Sequence, residues 1–237
     1  MALQDGLIHL WELEENSGTR RDSLGSLDCD AITGTPTAVN AISRKGMSCD
    51  GSEYAQNTVG PLDWLGAEEF SFGGWAYFNT LTGDQTLLEV AVDDASVMLI
   101  YKQASNIITA FVRQDDLTFR ITNTVATVSA EVWVHLMVTF KNGDAMRLYV
   151  DAGTPITDTA DDTFITSTST PRISLGSNSG SLPLDGIADQ VGVWNRQLTA
   201  MEISELYNSG TGIQLIGLVP NHAYQKRRTP GHNVSYF

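Results

Sequence analysis

The sequence predicts an all-β sandwich or barrel closed by one short helix. Short alternating segments recur about 8–12 residues apart. Gly, Asn, Asp and Pro interrupt them, and neither βαβ alternation nor an internal repeat is present. The 237 residues suit one large domain that folds without staples. Hydrophobic residues make up 42% and charged residues 18%, the balance of a globular chain.

The first strand falls within Gly6–Leu13, alternating Leu7, His9, Trp11 and Leu13. Ser71–Asn79 alternates Phe72, Gly74, Ala76 and Phe78 against Trp75 and Tyr77. Thr86–Val92, Ala95–Lys102, Ile107–Arg113 and Leu117–Thr122 are four further β-rich runs, and Val132–Phe140 is the strongest. Ala145–Val150 follows Asn142-Gly143, a hairpin signal in which both residues tolerate positive φ. Arg172–Leu175 and Ile187–Asn195 complete the strands. A helix near residues 200–208 starts at a capping box, Thr199 with Glu202, in which each side chain satisfies an amide of the other. Ile203, Leu206 and Tyr207 form its apolar stripe, and Gly210 is the expected left-handed cap.

The net charge is −14, which disfavours nucleic acid as a partner. The charge is unevenly placed. Residues 213–237 carry +3 from Lys226, Arg227 and Arg228, while the rest holds 11 basic against 28 acidic residues, −17. Those last residues contain Pro220 and Pro230 and read as an extended basic arm ending in Tyr236 and Phe237, with 1–212 as the body. No run approaches the 18 or so apolar residues of a membrane helix. The start, MALQDGLIHLWELEEN, lacks the basic and apolar regions of a secretion signal. Cys29 and Cys49 permit one disulfide or two buried thiols.

Leu184–Gly210 resembles the closing signature of laminin-G-like, concanavalin A-like domains, in Asp185-Gly186, Asp189, Val191, Val193 and Trp194, Asn195-Arg196, Leu198-Thr199 and Leu206-Tyr207. Gly6-Leu7, Trp11, Gly18-Thr19 and Asp22-Ser23 are similar to its first strand and turn. Cys49-Asp50-Gly51, Trp75, Trp133 and Leu148 to Asp151 resemble its middle strands, so the likeness covers residues 5–212. Cys49 stands where that family prefers Phe, and Ala152 separates an Asp-Gly pair. The resemblance implies a two-sheet antiparallel jelly roll with one short C-terminal helix, followed here by the arm. It also implies a structural calcium on Asp189, with Asp22 or the Asp28/Asp30 turn as helpers. The residue-level alternative is an Asp189 bonded to backbone amides.

Some relatives of the wider fold hydrolyse glycosides, which takes two carboxylates across the scissile bond. The alternating acids such enzymes carry on one strand are absent. Glu12-Leu13-Glu14-Glu15 is the nearest run and falls in a turn. His9, His135, His222 and His232 have no metal-type spacing. Asp93-Asp94, Asp115-Asp116 and Asp161-Asp162 read as solvated loop tips. For glycans, Trp64 and Tyr101 are the candidate stacking rings, while Trp11, Trp75, Trp133 and Trp194 are assigned to the core. The expectation is a non-catalytic lectin-like protein on the exterior of a virion. It docks on other subunits and its own copies through the arm and contacts glycans. The alternatives are a secreted or cell-surface carbohydrate-binding or adhesion module, calcium-dependent in one form, and a diverged glycosidase.

Overall fold

The computed structural model describes residues 2–57, 64, 66–92, 95–124, 127–166 and 171–215. Strands β1 (Leu7–Trp11), β2 (Ala31–Thr33), β3 (Thr37–Asn40), β4 (Lys45–Asp50) and β5 (Tyr54–Gln56) open the chain. β6 (Glu69–Phe78), β7 (Gln85–Val92), β8 (Ala95–Lys102), β9 (Ile108–Arg113) and β10 (Phe119–Asn123) follow. β11 (Trp133–Lys141), β12 (Asp144–Val150), β13 (Ile156–Ala160), β14 (Pro171–Leu175) and β15 (Asp185–Trp194) precede the helix α1 (Ala200–Tyr207). Among the described residues no helix is long and apolar enough to cross a membrane.

The strands form two antiparallel sheets, a jelly-roll sandwich. One runs β13-β12-β11-β6-β15-β4-β3, with β1 also paired to β15; the other runs β10-β9-β8-β7-β14-β5-β2. β15 serves three neighbours because β4 takes its first half, from Asp185 to Ala188, and β1 its second half, from Val191 to Trp194. Each strand turns alternate side chains into the space between the sheets. On β11 these are Val134, Leu136, Val138 and Phe140, which join Phe70, Phe72, Leu88 and Ile100 in the main core. Phe70 stacks on Phe140 with centroids 4.9 Å apart and meets Phe164 at 5.0 Å.

The other parity of the first sheet builds a second apolar cluster on its outer face. Leu10, Met137, Tyr149 and Trp194 receive Ile203 and Leu206 of α1. Tyr207 stacks on Trp75 at 5.7 Å, and burial in this aromatic layer pushes the His135 imidazole down to about 3. The capping box forms: the Thr199 hydroxyl accepts from the Glu202 amide, and the Glu202 carboxylate accepts from the Thr199 amide at 2.8 Å. Burial opposes the Glu202 charge, but the Arg196 fork and the Thr199 donors outweigh it and hold its pKa at about 2. Arg196 also donates to the carbonyls of Ala2 and Asp5, and the Trp194 indole N–H donates to that of Leu3 at 2.8 Å. The beginning and end of the body are thereby tied together.

Two local expectations are corrected. The helix ends at Asn208, in the left-handed region at φ +45°, two residues before Gly210; Asn is the residue that tolerates this conformation after Gly. At the β11–β12 hairpin only Gly143 takes positive φ, +72°. Ile213 packs against the second cluster and Leu215 is buried in it. Cys29 and Cys49 are buried free thiols.

Candidate functional site

A cleft of about 620 Å³ opens where the segment leading into β11 faces the β12–β13 connection. Val132, Trp133, Pro155 and Ile156 give it apolar walls, and Thr127, Ser129 and Thr154 supply hydroxyls. Asp151 is the only acid among the described residues lining it. The wall residue Trp133 begins β11 and pairs with Tyr77 of β6, so both rings stand on the outer face of the first sheet. Their centroids are 5.4 Å apart, and both rings are only half-buried. Trp133 is thus a correction to its assignment to the core. Parity places it with His135 and Met137, opposite Val134 and Leu136.

Asp151 is held by two backbone bonds. Its carboxylate accepts from the His135 amide at 2.8 Å, and its own amide donates to the His135 carbonyl at 2.9 Å. Asp151 and Ala152 both lie in the left-handed region, at φ +50° and +54°. Two consecutive non-glycine residues there are a local strain of the kind found at binding sites. The strain falls where Ala152 interrupts the expected Asp-Gly pair. Chemically, the cleft offers a flat aromatic ring, hydroxyls and one carboxylate, which suits a saccharide with apolar C–H faces and polar edges. The usual scheme of glycoside hydrolysis uses two carboxylates across the scissile bond; among the described residues this cleft is lined by one.

The other sequence candidates lie elsewhere. Trp64 is 2% exposed, in the main core, with its ring 5.0 Å from His9. It presents no face to a sugar, which corrects its assignment as a stacking ring. Tyr101 is half-buried on the outer face of the second sheet, opposite Thr86 and Thr109 and outside the cleft lining. Lys226, Arg227, Arg228, Tyr236 and Phe237, like Asp93-Asp94, lie outside the described residues.

Asp22 is fully buried and saturated. Its Oδ1 accepts from the amides of Leu10, Leu24 and Gly25, and its Oδ2 from the amide of Leu27. The Oδ2 also bonds the His9 Nδ1 at 2.6 Å. Burial works against its charge, and these partners outweigh burial and hold its pKa below the usual range. It therefore organises the first turn and has no lone pair for calcium. Asp189, also fully buried, accepts from the Ser43 amide at 2.8 Å through Oδ2, while Oδ1 has no hydrogen-bond partner among the described residues. Burial pushes its pKa up to about 8, and Glu14 and Glu12 add to the shift. Calcium takes six to eight oxygens. One open oxygen on Asp189 and a saturated Asp22 do not fit that ion, and no group of three acids, histidines or cysteines among the described residues could hold a metal. Glu12 Oε2 accepts from the Ser23 hydroxyl and Glu14 Oε2 pairs with Arg44, while the Oε1 of each has no hydrogen-bond partner among the described residues.

The comparisons bear on this arrangement. Domain 4 of AbnA, a GH43 extracellular arabinanase of Geobacillus stearothermophilus solved with arabinotriose, superposes with a TM-score of 0.64 at 16% identity, over 84% of this chain and 96% of that one. The binding domain of botulinum neurotoxin DC in complex with SialylT gives 0.62 at 13%, over 88% and 52%. The sialidase of Trypanosoma rangeli gives 0.61 at 14%, over 88% and 34%. The chain thus spans about half of the toxin domain and a third of the sialidase. At these identities the likeness is one of fold, and that fold is shared by glycosidases and by binding domains. A search of curated proteins finds no match to the sequence. The family model of the concanavalin A-like lectin/glucanases superfamily matches residues 50–204. With its two-sheet jelly roll and capped closing helix, the chain belongs to the concanavalin A-like lectin/glucanase superfamily.

Proposed function

We propose that this domain is a non-catalytic, lectin-like module that holds a saccharide in the cleft walled by Trp133. The observation that carries this reading is a half-buried Trp ring beside an open cleft lined by apolar and hydroxyl side chains with a single acid. The arabinotriose of the arabinanase domain supports a saccharide as the ligand class. Trp133→Ala is expected to weaken glycan binding by the full chain about tenfold or more, since a stacked indole contributes at least about 1.4 kcal/mol. Trp133→Phe should keep part of the affinity. A glycan array followed by calorimetry reads both, with melting temperatures as the control for folding. Equal affinity in the Ala variant and the parent, or hydrolysis of a bound glycan, would overturn the reading.

A second reading is favoured by the charge split. An acidic body of −17 with a basic arm of +3 suits a subunit on the outside of a particle, a virion exterior in the strongest form. The arm then docks on a neighbouring subunit. Because Leu215 is buried in the second cluster, the informative deletion begins at residue 216. Loss of residues 216–237 should abolish assembly, read by sedimentation of the native protein. Unchanged assembly sinks this reading and leaves the glycan reading standing.

A further inference from the structure

Among the described residues five large hydrophobic side chains are exposed, and three of them crowd into five positions: Leu117 at 59%, Phe119 at 44% and Ile121 at 49%. They lie on β10 and the turn before it. The β9–β10 register sets Phe119 opposite Arg113 and Ile121 opposite Phe111, with Phe111 in turn opposite Leu99 of β8. These residues share the outer face of the second sheet, because Val112 and Ala110 between them point into the core. Phe111 meets Phe119 edge-on at 5.4 Å, and the Arg113 guanidinium lies 5.5 Å from the centre of the Phe119 ring. An exposed apolar cluster of this kind marks a contact surface.

The rim is acidic. Asp115 and Asp116 form the turn before β10, and the Thr166 and Thr118 hydroxyls keep them ionised below the usual carboxylate range. Asp158 accepts from the Ile121 amide, and Asp161 pairs with Arg120. Asp115, Asp116 and Asp158 against Arg113 leave this rim at −2.

Residues 216–237 have the complementary chemistry. They carry Lys226-Arg227-Arg228 and no acid, together with Tyr224, Tyr236 and Phe237. They leave the body at Leu215, which is buried on the outer face of the first sheet, across the sandwich from the patch. Fully extended, 22 residues span about 70 Å, enough to cross to another molecule. Departure from one face and reception on the opposite face is a head-to-tail geometry, which closes rings or extends from copy to copy.

We propose that the Leu117, Phe119 and Ile121 surface receives residues 216–237 of a neighbouring copy. The inference rests on the assembly reading above and names the receptor for its arm. The test uses the full chain in three forms: wild type, Phe119→Asp with Ile121→Asp, and Lys226→Glu with Arg227→Glu and Arg228→Glu. All the changed side chains in the patch are exposed, so circular dichroism and melting should match wild type. Sedimentation should show wild-type oligomers, and each variant alone should associate at least tenfold more weakly. Mixed, the two variants should form a one-to-one pair that does not grow, because one intact arm meets one intact patch. If the patch variant assembles like wild type while the arm variant does not, the arm docks elsewhere and this inference falls alone. A wild type that is monomeric at every concentration overturns both this inference and the assembly reading.

Discussion

Gly186→Ala is expected to cost the fold about 4 kcal/mol or more, a loss reached only when a backbone or core has no way to relax. Gly186 sits in β15 between β6 and β4, opposite Phe78 on one side and Cys49 on the other. A Cβ there would stand 1.9 Å from the Tyr77 carbonyl oxygen and 3.2 Å from the Phe78 Cα. Both are backbone atoms of a central strand, so no side chain can swing away. The sheet would have to open by more than about 1 Å at its middle, breaking ladder bonds that are costly to leave unmade. Urea unfolding should give a lower midpoint with an unchanged slope. A loss below about 1 kcal/mol would mean that β6 and β15 are not this close. The close approach also explains in physical terms why a glycine follows the acid in the closing signature.

Asp189→Asn should instead raise stability, and only towards alkaline pH. Burial drives the Asp189 carboxyl from an ordinary value near 3.8 to about 8, and Glu14 and Glu12 reinforce the shift. Between those two values the folded chain holds a proton that the unfolded chain has released. Stability therefore falls as pH rises from about 4 to about 8 and levels off above that. At about 1.4 kcal/mol per pH unit, the full window is on the order of 5 kcal/mol. Asparagine can still accept from the Ser43 amide and does not titrate. The variant should match the parent near pH 4 and exceed it by several kcal/mol at pH 8, measured by urea midpoints across the range. Parallel profiles for the two proteins would show that Asp189 is solvated or compensated by another group.

The sequence was most readable where a pattern ran long enough to repeat. β6, β7, β8, β11 and β15 span eight to ten residues each, and their alternation survives any one exception. The helix was readable because a capping box is local chemistry. β2, β3, β5 and β13 span three to five residues each, too short to show a period, so long-range pairing decides them. The two tryptophans exchange roles for different reasons. Trp64 reads as a loop residue, yet its ring completes the core beside His9 and Trp11. The outward parity of Trp133 is already in Val132–Phe140, and placing every Trp of a core strand inside overrides it. The cleft itself is invisible in sequence, since residues 127–134 and 150–156 meet only when the sandwich forms.

The pairing of β1 with β15 has a mechanical consequence. Leu7 lies opposite Trp194, so the start of the first strand and the end of the last strand emerge side by side. Tension applied between the two ends of the body would peel this pair open one rung at a time, with no shear across the whole ladder. The first bonds to carry the load are those of Arg196 and Trp194 to the carbonyls of Ala2, Leu3 and Asp5. Arg196 is fastened in turn to Glu202 of α1. The closing helix therefore works as the latch on a zipper, and the force needed to open the domain is set at that latch.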